Sequence, residues 1–201
     1  VSNSGAVPKD GRAARSYRAR RALAEAVLDL LNEGVAKPTA MEIARRAGVS
    51  LRLVFHHFDD LEAIYASAAD LQFERIGPLI NPIDRTLAFD QRVAAFVRQR
   101  ARLFEYVTPV RRAGIRMEES SGEIARRLRI AYEMARDHMQ AAFSRELAAL
   151  SPDEAAELSA ALDGAASWEM WDFLRRRRGL SVKRAGVVVE RMIRSLLADR
   201  K

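Results

Sequence analysis

Apolar residues recur along this chain at intervals of three and four. Leu23, Ala26, Val27, Leu30 and Leu31 form one such stripe, the period that gathers side chains on one face of an α-helix, here a helix expected to end near Gly34. Alternation of period two never persists beyond a few residues, so strands are not expected. Helix starts are marked by residue pairs. Thr39 with Glu42, Asp59 with Glu62 and Ser151 with Glu154 each match the capping box, whose two side chains satisfy free amides of the first turn. Pro109 and Pro152 each follow a hydroxyl residue, as at a first helical position. Breaks at Gly77-Pro78, Asn81-Pro82, Thr108-Pro109, Ser120 to Gly122, Ser151 and Gly179 then predict an all-α fold of about nine helices. Residues 1 to about 11, rich in Ser, Gly, Asn and Pro, lack any period and are expected to be disordered.

The stretch from Thr39 to Phe58 reads as two short helices joined by a tight turn. Thr39 caps the first, Ile43, Ala44 and Ala47 point inward, and Gly48 supplies a left-handed position at no side-chain cost. Val49 fills the corner, Ser50 caps the second helix, and Val54 with Phe58 returns to the shared core. Small Ala44 permits the two helices to cross closely. A helix-turn-helix of this kind offers the start of its second helix, here about Leu51 to His57, to a DNA major groove. A helical hairpin in an ordinary bundle has the same grammar.

Charge adds to this picture through its placement. The chain has 34 basic and 27 acidic residues, a modest surplus, yet from Val1 to Arg21 Lys9, Arg12, Arg15, Arg18, Arg20 and Arg21 face the single acid Asp10. Such a segment is either a solvated tail or an arm for DNA. Composition also removes classes. The chain has no cysteine, so disulfides and thiolate zinc sites are out, and a cytoplasmic location is expected. His56, His57 and His138 do not form a metal-ligand spacing. No apolar run of membrane-spanning length and no signal peptide is seen. Neither a nucleophile-base pair nor a phosphate loop emerges, so no enzyme, metal or cofactor is expected.

From Arg18 to Ala66, one long helix, then EIARRAGVS, then VFHHF and an acidic step into the next helix, the chain resembles the DNA-binding domain of the TetR family of transcriptional repressors. The segment SWEMWDFLRRRRGLSVKRAGVVVERMIRSLL is similar to the last two helices of many such regulators. The resemblance implies a homodimer on a palindromic double-stranded operator, released by a small-molecule effector. It implies DNA contacts at Arg18, Lys37, Thr39, Ser50, Arg52, Leu53, Phe55, His56 and His57. Arg52 is the best candidate for reading a base, since a guanidinium can bond both acceptors of guanine. Leu51 and Leu53 either meet thymine methyl groups or pack. His57 contacts backbone or braces the next helix. The chain also departs from the family: Phe55 stands where a phosphate-binding tyrosine is usual, and Leu61 where a lysine opens the fourth helix. Those losses motivate the alternative of a helical adaptor protein with a vestigial helix-turn-helix.

Beyond Leu61 the helices are long and rich in large apolar residues. Most are core, but Phe104, Met117, Tyr132, Trp168 and Trp171 are candidate linings of a cavity for an apolar or aromatic effector. Small residues cluster at Ala160, Ala161, Gly164, Ala165 and Ala166, and the stripe of Ala185, Val188, Val189, Met192, Ile193, Leu196 and Leu197 is wider than one neighbour requires. Ala161, Gly164, Ala165, Ala185, Val189, Met192 and Leu196 are therefore expected at a two-fold interface. The expected organisation is a basic arm at 1–14, a helix-turn-helix domain at 15–60 and an effector and dimerisation domain at 61–201. The arginine run Arg175 to Arg178 fits the negative end of a helix.

Overall fold

The computed structural model describes residues 11–198. They form α1 (Gly11–Asn32), α2 (Ala40–Ala47), α3 (Leu51–His57), α4 (Leu61–Ile76), a 3-10 turn (Gly77–Leu79), α5 (Phe89–Met117), α6 (Gly122–Ala142) and α7 (Ser144–Ala148). After them come α8 (Pro152–Ala165), α9 (Trp168–Asp172) running into a π turn (Phe173–Arg177), and α10 (Val182–Ala198). The described residues contain no strand. The all-α expectation holds, while three details of the punctuation change.

Residues 11–14, placed in a disordered arm by composition, already belong to α1, where Ala14 is buried. The rest of that arm, residues 1–10, lies outside the described residues. Pro109 does not open a helix but sits inside α5. There it removes one backbone donor, and the neighbouring Thr108 hydroxyl donates to the Phe104 carbonyl at 2.5 Å. The box expected at Asp59 and Glu62 does not form. Asp60, not Asp59, caps α4, accepting from the Ala63 amide at 2.7 Å, and Glu62 instead accepts from the Ser121 hydroxyl. Thr39–Glu42 and Ser151–Glu154 form complete boxes as expected.

The described residues divide into two compact units, 11–75 with 109–128 and 76–108 with 129–198. This partition differs from the expected boundary at 60/61. In the first unit, Leu23, Val27 and Leu28 of α1, Ile43 of α2, Val54 of α3 and Ile64 of α4 are almost wholly buried, each worth about 1.5–3 kcal/mol relative to exposure. Residues 109–128 join this unit through side chains far apart in sequence. Arg127, 8% exposed, makes a two-pronged bond to Asp70 at 2.9 and 2.7 Å and also pairs with Glu123. Gly114 lies where an added Cβ would stand 3.5 Å from Leu128.

In the second unit, Phe96 packs edge-on to Phe143 with ring centres 5.2 Å apart, and Met139, Leu162 and Ile193 complete the core. Gln99 clasps the backbone of Asn81, accepting from its amide at 3.1 Å and donating to its carbonyl at 3.0 Å. That clasp fixes the segment after the 3-10 turn. Arg92, 2% exposed, is neutralised by Glu146. α10 turns Ala185, Val189 and Ile193 inward and packs on α8.

Candidate nucleic-acid interface

The turn between α2 and α3 is built by local chemistry. Thr39 accepts from the Glu42 amide, and the Glu42 carboxylate accepts from the Thr39 amide at 2.8 Å. Those bonds from Thr39, backbone first and hydroxyl second, hold the Glu42 carboxyl below the usual carboxylate range. Gly48 ends α2 at φ 68°, its amide bonded to the carbonyls of Ala44 and Arg45. An L side chain adopts that conformation only at a cost of about 1–2 kcal/mol. Ser50 then caps α3, accepting from the Leu53 amide at 3.2 Å. Its hydroxyl is thus engaged in the helix start, and any phosphate contact it makes is through the same atom.

Three contacts between distant residues fix α3 on its scaffold. Val54 and Phe58 are buried, and the Arg20 guanidinium of α1 lies 4.1 Å from the centre of the Phe58 ring. The same guanidinium donates to the His57 carbonyl, and the Ser16 hydroxyl lies 3.4 Å from His57 Nδ1. His57 therefore meets the first helix, whereas the sequence left it either contacting the DNA backbone or bracing the next helix. Burial, with His56 and Arg20 close by, holds its pKa below the ordinary histidine value. Under α2, the Tyr65 hydroxyl of α4 donates to the Pro38 carbonyl. Burial first, and the charge of Glu42 second, push that phenol up to about 12. Arg46 of α2 is tied to Glu33 beyond α1 at 2.7 Å.

What remains outward on α3 is Leu51, Arg52, Phe55 and His56, all exposed. Leu53 is half-buried, which favours packing for it and leaves Leu51 as the accessible leucine. The side chain of Arg52 has no partner among the described residues. Arg18 on α1, with Lys37 and Thr39 before α2, is also exposed. Sequence reasoning did not find Ser16, Arg20 or Tyr65, because each acts on a partner 27 or more residues away. No local motif signals such a contact.

The expected effector lining comes together only in part. Phe104 and Trp171 are buried with ring centres 6.2 Å apart. Trp171 Nε1 donates to Glu105 at 2.8 Å, and Trp168 Nε1 to Thr108 at 3.0 Å. The Tyr132 hydroxyl donates to Glu169 at 2.6 Å. Met117 falls instead in the first unit, because α5 continues past Pro109. A separate groove of about 700 Å³ in the second unit is lined by α6, α7 and α8, including Arg136, Gln140, Ala156, Ala160 and Gly164. Of the expected interface residues, Ala161 and Gly164 are exposed, and Met192 and Leu196 are half-buried. Ala165, Ala185 and Val189 are buried within the single chain, where they serve its own core. Their burial is a correction to the width of the interface stripe: the inner face of α10 is already used by the chain's own core. Among the described residues no helix is long and apolar enough to cross a membrane, and no cluster of three metal-binding side chains occurs.

No family model matches the chain, and no curated protein sequence matches it either. Solved structures do. A transcriptional regulator from Rhodococcus sp. Rha1 is 20% identical, with a TM-score of 0.70 over 90% of this chain and 96% of that one. A protein from Mesorhizobium loti assigned to the TetR family of transcriptional regulators is 17% identical, with a TM-score of 0.67 over 92% and 98%. A third, assigned as a transcriptional regulator from Pseudomonas aeruginosa PAO1, is 19% identical, with a TM-score of 0.67 over 89% and 90%. The chain shares the all-α fold of these regulators over about nine-tenths of its length.

Proposed function

We propose that the protein is a DNA-binding transcriptional repressor of the TetR type, working as a homodimer on a palindromic operator and released by a small apolar or aromatic effector. One observation carries the reading. α3 is held from behind by Val54, Phe58, Arg20 and the Ser50 cap, while Leu51, Arg52, Phe55 and His56 stand exposed on its outer side. A short helix anchored so firmly and presenting an unpaired guanidinium suits insertion into a groove lined with acceptors. An adaptor protein would have no need for that combination. Arg18, Lys37 and Thr39 flank it as phosphate contacts, which position the protein without reading sequence.

The dimer follows from the operator's symmetry in this reading, with Ala161 and Gly164 of α8 and Met192 and Leu196 of α10 meeting their counterparts. The effector is assigned to the second unit, where Phe104, Trp168 and Trp171 supply aromatic surface. The test is a gel shift on the DNA upstream of the chain's own reading frame, with an excess of unrelated duplex as competitor. Arg52→Ala should lose about 1–3 kcal/mol of discrimination for the specific site, and retain nonspecific binding at low salt. Equal retention of specific binding by wild type and Arg52→Ala would remove the base-reading role.

A further inference from the structure

The reading helix carries two large apolar groups where a groove-binding surface is ordinarily polar. Leu51 is 40% exposed and Phe55 is 51% exposed, and both lie on the outer side of α3 with Arg52 and His56. They are four residues apart, one helical turn, so their side chains lie above one another on a single face about 6 Å apart along the axis. Neither can form a hydrogen bond. Their scaffold contacts do not explain them either, since the inner side of α3 is filled by Val54 and Phe58. Leu53, the other leucine of the helix, is half-buried.

In a DNA major groove the apolar feature offered by the bases is the 5-methyl group of thymine. We propose that Leu51 and Phe55 are specificity-determining residues that select thymine by its methyl group. This rests on the DNA-binding reading above and names what the same site recognises. Base steps are about 3.4 Å apart along a strand, so a spacing of about 6 Å places the two selected thymines roughly two steps from each other. Arg52, adjacent to Leu51 and cationic, takes a neighbouring guanine. The half-site is accordingly a short thymine-bearing segment with a guanine beside it. The exposed cations Arg18, Lys37 and Arg52 supply charge complementarity to the duplex, so the apolar pair meets a partner that the surrounding surface already attracts.

The experiment starts from a 30-base-pair duplex recovered by selection from a randomised library with the full chain. Each thymine in its half-sites is then replaced by deoxyuridine, which removes the methyl group and leaves base pairing intact. Wild type should bind about fourfold more weakly for each of two thymines so changed, the factor that corresponds to burying one methyl-sized group. Leu51→Ala should bind the unmodified duplex more weakly and become indifferent to one of the two replacements, and Phe55→Ala to the other. Both side chains are exposed, and unchanged melting curves would establish that the variants are folded. A recovered duplex bound equally well with and without its methyl groups overturns this assignment and leaves the regulator reading standing. Failure to enrich any duplex overturns both.

Discussion

His57 sits where α3 meets the helix that supports it, and its protonation state bears on that junction. Its pKa is held below the ordinary value by burial, with the charges of His56 and Arg20 adding to the effect. The folded form therefore prefers neutral imidazole. A base whose folded pKa is depressed lends stability that is complete above its unfolded pKa, near 6.5, and is lost as pH falls through the lower folded value. Acidification from pH 7.5 to 5 should lower the urea midpoint of the protein. His138 is shifted in the same direction, by burial first and also by Arg100, while its bond to the Asn81 carbonyl opposes the shift, so it contributes to the same slope. His57→Gln should flatten part of the dependence and leave the part due to His138. Identical pH profiles for wild type and His57→Gln would show that the brace is energetically idle.

At the scale of elements, the decisive feature is the corner between α2 and α3. Gly48 occupies the left-handed region at φ 68°, and an added Cβ there would meet nothing within 4 Å. Gly48→Ala should therefore cost only the backbone term, about 1–2 kcal/mol, seen as a lower unfolding free energy with the fold retained. A stability equal to wild type would mean that the corner relaxes without penalty. This corner was legible in the sequence because Thr39, Glu42, Gly48 and Ser50 act on partners within four residues of themselves. The same logic misplaced the start of α4, since Asp59 and Asp60 are both acceptable caps and the choice between them is decided where Glu62 turns to Ser121. Pro109 was misread for a related reason. A proline after a threonine is locally a helix start, yet α5 continues through it. The arms of the site that sequence could not supply, Arg20 on Phe58 and Tyr65 on Pro38, are all contacts between elements.

At the scale of the whole molecule, the proposed homodimer is testable from what the single chain leaves uncovered. Ala185, Val189 and Ile193 are committed to the chain's own core, so the proposed interface draws on Ala161 and Gly164 of α8, which are exposed, and on Met192 and Leu196 of α10, which are half-buried. Ala161→Asp changes an exposed side chain of that interface and should leave the monomer folded. A buried unpaired carboxylate at a two-fold axis is counted twice and strongly disfavoured, so this variant should sediment as a monomer and lose at least tenfold in affinity for a palindrome. Sedimentation identical to wild type would move the interface elsewhere.

The placement of the aromatic residues has one further consequence. Both tryptophans belong to the second unit, their indole N–H groups bound to Thr108 and Glu105, and the first unit has none. Tryptophan emission, excited selectively so that Tyr17 and Tyr65 do not contribute, is thus blind during heating to the half that carries α3, whereas circular dichroism weighs helices in both halves alike. Superposition of the two melting curves would mark the halves as one cooperative block, and a lag between them would measure how far one can come apart while the other endures.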